Sequence, residues 1–256
     1  MILDGFKLTG KVALVTGTST GLGQGMAVGL AEAGADIAGV DYVLDQSDTQ
    51  KRIEALGRKF KPVKMDLIHA SVADLNALVD AVIKQYGHID ILINNAGIIR
   101  RDDAVLFTEA EWDDVLNINL RNLFFLSQAV GRVFIKQGTG GKIVSVASML
   151  SYQGGIRVVS YTAAKSGVKG ITMTLANEWA KYGINVNAIA PGYMATNNTK
   201  ALREDETRAG QILERIPAGR WGTPSDVAGA AVFLCSDNAS YINGFTLAID
   251  GGWLGR

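Results

Sequence analysis

The chain holds one cysteine, Cys235, in 256 residues, so no internal disulfide can form. A lone cysteine in the apolar run V-F-L-C reads as a small core residue. The composition fits a reducing cytoplasm. Charge of one sign is equally lacking, since Lys plus Arg and Asp plus Glu each count 25. That balance leaves no electrostatic footprint for nucleic acid or an anionic membrane. No apolar stretch reaches the length of a membrane span. The N-terminus has no basic region followed by an apolar run, as a signal peptide requires. Internal repeats, low-complexity runs and linkers are missing too, and no residue grouping reads as a metal site. What is present is 48% hydrophobic and 20% charged residues, in a chain long enough to bury a substantial core.

Strand and helix signals alternate from end to end. Short β-branched runs stand at 11–16, 35–40, 61–66, 89–93, 141–147, 184–190 and 245–249. Helical stretches are expected from the first glycine loop to Ala33, near 47–59, over 71–86, over 109–136 with a possible interruption, from 161 to about 182, and over 225–235. Gly34 and Gly87 are stop signals. Such alternation predicts an α/β fold, a doubly wound, mostly parallel sheet with helices on both faces. With no composition break, residues 1–256 read as one dinucleotide-binding and catalytic domain. The exception is a polar insert at about 193–220 with a helical middle, the kind of segment that serves as a lid or binding loop.

The first strand-to-helix turn carries Gly17, Gly21 and Gly23. A glycine-rich turn opening a helix brings backbone N–H groups against a pyrophosphate. Asp41 closes the second strand, 24 residues after Gly17, where a carboxylate can accept hydrogen bonds from the adenosine ribose hydroxyls. Its charge would repel a 2′-phosphate, and no Arg or Lys stands in the glycine loop or at residues 42 and 43 to offset it. NAD is therefore expected over NADP. Asp66 and the run Asn94 to Gly97 end the next two strands on the same side; Asp66 is placed to bond the adenine edge, and Ala96 and Gly97 to line the adenosine.

Ser148 precedes Tyr161 by thirteen positions, and Lys165 follows four later. Residues four apart on a helix share a face. A free phenol titrates near pH 10, and lowering that by about 3 units takes about 4 kcal/mol. One ammonium about 4 Å away supplies that much at an effective dielectric of about 20. A Tyr-x-x-x-Lys pair can therefore make a phenol into a proton shuttle.

Taken together, T-G-x-x-x-G-x-G at 16–23, Asp66, N-N-A-G at 94–97, Asn119, Ser148, Y-x-x-x-K at 161–165 and Pro191-Gly192 resemble the classical short-chain dehydrogenase/reductase family. The resemblance spans nearly the whole chain. It implies a Rossmann-type sheet of about seven strands and hydride transfer between a nicotinamide and an alcohol or carbonyl. It further implies that Tyr161 is the acid/base and that Lys165 lowers its pKa and holds the nicotinamide ribose. Ser148, chosen over Ser145 and Ser151 by its spacing, would bond the substrate oxygen. Asn119, with Asn117 a nearby alternative, would help hold a water linking Lys165 to solvent. Cofactor contacts are implied at Gly17, Thr20, Gly21, Leu22, Gly23, Asp41, Asp66, Leu67, Asn94, Ala96, Gly97, Pro191, Gly192 and Met194. Thr196 is implied at the carboxamide.

The text I-I-R-R at 98–101, S-M-L-S-Y-Q-G-G-I-R after the serine, and P-A-G-R-W-G resemble a bacterial branch of that family acting on sugar acids of the keto-deoxygluconate and gluconate type. The branch implies oxidation at C5 of a 2-keto-3-deoxy acid, a small-molecule partner, and a homotetramer built on the long helices. An arginine fork matches a carboxylate in a bidentate way, so Arg101, Arg100 and Arg157 are candidates for the acid group and Gln153 for a hydroxyl. Tyr193, Trp221 and Trp253 are placed either in the pocket or in packing. An acyl-carrier-protein reductase of the same fold is disfavoured by Asp41. A non-enzymatic nucleotide sensor is disfavoured because Asn119, Ser148, Tyr161 and Lys165 are all kept.

Overall fold

Runs of Val, Ile, Leu and Ala without polar alternation ask for burial on both faces. The computed structural model describes residues 1–256 and sets seven strands side by side, with such runs at the centre of the sheet and the less buried β3 and β7 at its edges. They are β1 (Val12–Thr16), β2 (Asp36–Asp41), β3 (Phe60–Lys64), β4 (Ile91–Asn94), β5 (Gly141–Val146), β6 (Ile184–Pro191) and β7 (Thr246–Ile249). The order is β3-β2-β1-β4-β5-β6-β7 and every pairing is parallel. Strand order reverses between β1 and β4, so the carboxyl ends of these strands part there and open a crevice.

Successive strand residues feed opposite cores. Ala13, Val15, Ile37, Ile91 and Ile93 pack on α1 (Gly21–Glu32), α2 (Ser47–Glu54) and α9 (Pro224–Cys235), with the buried Cys235 among them. Val12, Leu14, Ala38, Val40 and Leu92 pack on α3 (Val72–Tyr86), α5 (Asn122–Gln137) and α6 (Val159–Trp179). The remaining helices are α4 (Glu109–Leu116), α7 (Lys200–Glu204) and α8 (Glu206–Arg215). No helix is long and apolar enough to cross a membrane.

Several boundaries differ from the sequence reading. The stretch 109–136 is two helices joined by a π-helical turn at Asn117–Arg121. The second helix stops at Glu54, short of 59, because the chain turns through Gly57 with φ +71°. β4 starts at Ile91, since Asp90 Oδ2 accepts from the Val12 N–H at 2.8 Å and the Ile89 N–H bonds Gln137 Oε1. The insert holds α7 and α8 and a single bridge, Met194 to Gly222, that closes its base. A short N-terminal 3₁₀ segment, Ile2–Phe6, had no sequence signal.

The insert is tied to the scaffold where α9 begins. Thr223 and Asp226 form a capping box, and Arg220 grips Asp226 through two bonds of 2.8 Å. The Arg220 guanidinium, then the cap N–H bonds, hold the Asp226 carboxyl far below the usual carboxylate range. A depressed carboxyl contributes stability above its unfolded pKa and loses it as pH falls through the folded value. Asp226→Asn should lower stability by about 1 kcal/mol at pH 7. Thermal melts should show the gap from wild type narrowing steadily below pH ~4.

Candidate active site

The crevice begins where β1 hands over to α1. Gly17 has φ +76°, and a Cβ there would lie 2.6 Å from Asn95 Nδ2. At Gly23 a Cβ would collide with the Gly17 carbonyl itself, so only glycine lets α1 sit this close to the turn. Asn95 locks the arrangement by donating its side-chain amide to the carbonyls of Thr16 and Gly17. Thr16 Oγ1 in turn accepts from the N–H groups of Asn95 and Ala96 at 3.0 Å. The N-cap residue of α1, Thr20, makes no side-chain cap bond, so the first amides of the helix point unblocked into the crevice. Ser19, Thr20, Gly21 and Leu22 line it there. Such a helix end, with a glycine cradle beside it, fits a pyrophosphate.

The cavity measures about 580 Å³. At one end Asp41 lines it, its Oδ2 accepting from the Ser19 N–H at 2.9 Å. Leu67, Ala96, Gly97 and Thr196 line it as expected. Asp66 lines it too, but its carboxylate is engaged: Oδ1 accepts from the Ile68 N–H, and Oδ2 lies 2.8 Å from His69 Nδ1. Hydrogen bonding to His69 holds the Asp66 carboxyl below its usual range and pulls the His69 imidazole up.

Tyr161, Lys165 and Asn119 share the far wall. Both Tyr161 and Lys165 stand on α6, one turn apart. Lys165 is buried; its Nζ donates to the Val146 carbonyl at 2.6 Å and lies 5.6 Å from the Tyr161 ring centroid. Burial pushes its pKa down to about 8. This corrects the sequence argument in one respect. The amine is turned towards the end of β5, and the Tyr161 phenol is pushed up by burial rather than lowered by the lysine. What opposes the rise is hydrogen bonding with Ser148 and then the positive charge of Arg101. Ser148 is buried beside it, its Oγ accepting from the Leu150 N–H at 3.1 Å.

Asn119 lies in the π-helical turn, a geometry frequent at functional sites. Its amide nitrogen donates to the carbonyls of Ile98 and Val115. Its Oδ1 is buried with no partner and rests against Gly97, where any Cβ would drive into it. A buried acceptor left open like this asks for a water or a ligand group.

At the mouth the three candidate arginines separate. Arg100 pairs with Asp114 at 3.1 Å. Arg157 pairs with Asp103 at 3.2 Å and Asp102 at 3.6 Å, so it does not present a free fork. Arg101 has no carboxylate in ion-pair range and only a 3.5 Å bond to the Asn198 carbonyl.

Other expected residues lie elsewhere. The Asn94 side chain is buried and bridges Ser127 and Ser145, bracing β4 to β5, while its neighbour Asn95 reaches the crevice. Pro191, Gly192 and Met194 form the base of the insert: the Gly192 N–H donates to the Ile249 carbonyl, and Met194 is buried beside Gly222. Gly23 acts through packing. Gln153 is taken by Trp253, whose Nε1 donates to it at 3.1 Å. Tyr193 stacks edge-on against Trp221 and Trp253, and the three pack with Ile212 and Ile216 rather than lining the cavity. Ser19, His69 and Asn95 are crevice residues the sequence reading missed. Asn95 alone carried a signal, as the second Asn of the N-N-A-G run.

A family model described as Enoyl-(Acyl carrier protein) reductase matches residues 17–254. The chain is 60% identical to the 2-dehydro-3-deoxy-D-gluconate 5-dehydrogenase of Escherichia coli (strain K12), over 100% of both chains. An NADP-bound crystal structure from Agrobacterium tumefaciens has 53% identity and a TM-score of 0.91, with 98% of this chain and 99% of that one covered. A gluconate 5-dehydrogenase from Burkholderia cenocepacia J2315, in complex with NADP and tartrate, has 36% identity and a TM-score of 0.94 over 100% of each. With that likeness running the full length of a parallel sheet whose crevice suits NAD(P), the chain belongs to the short-chain dehydrogenase/reductase family.

Proposed function

We propose that the protein is an NAD(H)-dependent dehydrogenase that interconverts 2-dehydro-3-deoxy-D-gluconate and its 2,5-diketo acid. One observation carries the reading: Tyr161, Lys165 and Asn119 line the same crevice as the glycine turn and Asp41. The substrate follows from the full-length 60% identity to an enzyme of that name, and from Arg101, a cation at the mouth with no carboxylate of its own. The setting is cytoplasmic sugar-acid breakdown, and the working form is a homotetramer with α5 and α6 at the contacts.

Gly17, Thr20, Gly21 and Leu22 hold the pyrophosphate, Asp41 the adenosine ribose, Asp66 and Leu67 the adenine side, and Thr196 the carboxamide. When bound, the nicotinamide supplies or takes up the hydride. Tyr161 gives a proton to the C5 oxygen during reduction and removes it during oxidation. The Ser148 hydroxyl steadies charge developing on that oxygen. Lys165, with its amine near pKa 8, restores the phenol's proton at neutral pH. Asn119 Oδ1 is the open acceptor for a water that joins the amine to solvent. Arg101 receives the substrate carboxylate in a fork.

Three solved relatives hold NADP, so the cofactor choice is the point to test. Asp41→Ala should raise the ratio of kcat/KM with NADP to that with NAD by about tenfold, as removal of a like charge requires. Steady-state rates with both cofactors measure it, and an unmoved ratio would remove Asp41 from selection. Tyr161→Phe should cut turnover by about 100- to 10,000-fold while fluorescence titration shows NADH still binding. Arg101→Ala should raise KM for the acid by about 10- to 100-fold and spare its methyl ester; equal effects on both would refute the carboxylate role.

A further inference from the structure

Arg157 is the one non-glycine residue with a left-handed backbone, at φ +63°. A side chain with a Cβ resists that conformation, and it persists where the surroundings impose it. The side chain is held by two carboxylates, Asp103 at 3.2 Å and Asp102 at 3.6 Å. Both belong to the loop that follows β4, and they come directly after Arg101 in the chain.

That neighbourhood sets an electrostatic problem. Two carboxylates beside Arg101 would cancel its charge and repel an incoming acid. The mouth holds Arg100, Arg101 and Arg157 against Asp102, Asp103 and Asp114, so its charges balance. Pairing is uneven, however. Arg100 takes Asp114, Arg157 takes both remaining carboxylates, and Arg101 is left with a backbone carbonyl of the insert. Arg157 thus ties the loop after Ser148 to the loop after β4, while Arg101 ties the latter to the insert.

We propose that Arg157 is a positioning residue for substrate selection: by binding Asp102 and Asp103 it keeps the Arg101 guanidinium available to the substrate's carboxylate. Preference for an acid over a neutral sugar then depends on a residue that does not touch the acid. This inference rests on the reading of Arg101 given above. Because Arg157 is about half exposed, solvent and salt weaken its effect.

Arg157→Gln retains a Cβ, so it meets the same backbone resistance while losing the charge. KM for 2-dehydro-3-deoxy-D-gluconate should rise by roughly five- to twentyfold at low salt, with kcat and the KM of the methyl ester within about twofold of wild type. Adding Asp102→Asn and Asp103→Asn should return the acid's KM to within about twofold of wild type. No recovery in the triple variant overturns the proposal, because Arg157 would then contact the acid itself. An equal rise for the ester also overturns it, because the residue would only shape the loop. If Arg157→Gln does not fold, Arg157→Lys takes its place. That variant should keep the acid's KM within about threefold of wild type, and a larger rise than that overturns the proposal. Should Arg101→Ala leave the acid's KM unchanged, the reading of Arg101 falls. An effect at Arg101 with none at Arg157 overturns the positioning role alone.

Discussion

Two backbones approach each other more closely where β1 hands over to α1 than side chains would allow. The Gly17 carbonyl lies where a Cβ of residue 23 would stand, and the Asn95 amide fills the remaining gap by bonding Thr16 and Gly17. That contact brings the start of α1 down onto the carboxyl end of β1 and aims its free amides into the crevice. It also fixes β4, since Thr16 Oγ1 takes the N–H groups of Asn95 and Ala96. The position of Gly97 against Asn119, and so of the far wall, follows from the same contact.

The far wall uses burial and a helix defect together. In a regular α-helix Asn119 would continue the hydrogen-bond ladder with its side chain free to find any partner. The π-helical turn bends the chain so that its amide nitrogen meets the Ile98 and Val115 carbonyls and its oxygen stays open. Beside it, Lys165 is kept from water with only the Val146 carbonyl for company. Its low pKa is therefore a result of desolvation and not of a charged neighbour. The phenol of Tyr161 is pushed the opposite way by the same dryness, so the amine sheds its proton more readily while the phenol holds its own more tightly.

The parallel sheet, the glycine turn and the Tyr161–Lys165 pair were legible in the sequence because each depends on a few neighbouring residues or on a repeated alternation. The misplaced residues depend on partners far along the chain. Gln153 is claimed by Trp253, and Arg157 by Asp102 and Asp103, and neither attraction leaves a local pattern. Asn94 and Asn95 are chemically identical, and successive side chains of a strand face opposite ways. Only the pairing of β4 with its neighbours decides that Asn94 turns to Ser127 and Ser145 while Asn95 turns to the crevice. The π-helical turn has the composition of an ordinary helix, so its interruption is visible while its form is not. Desolvation of Lys165 is a property of the assembled core and has no expression in spacing at all.

The two borders of the sheet are unlike. β3 carries Pro62 between two lysines, Lys61 and Lys64, and a proline offers no N–H to a further strand. β7 is the short uncharged segment T-L-A-I, paired only with β6. Any lateral growth of this sheet is therefore one-directional. On that side the outward Thr246 carbonyl already accepts from the Tyr152 hydroxyl at 2.7 Å, so a joining strand would first have to displace this bond, and both borders resist running on into a fibre.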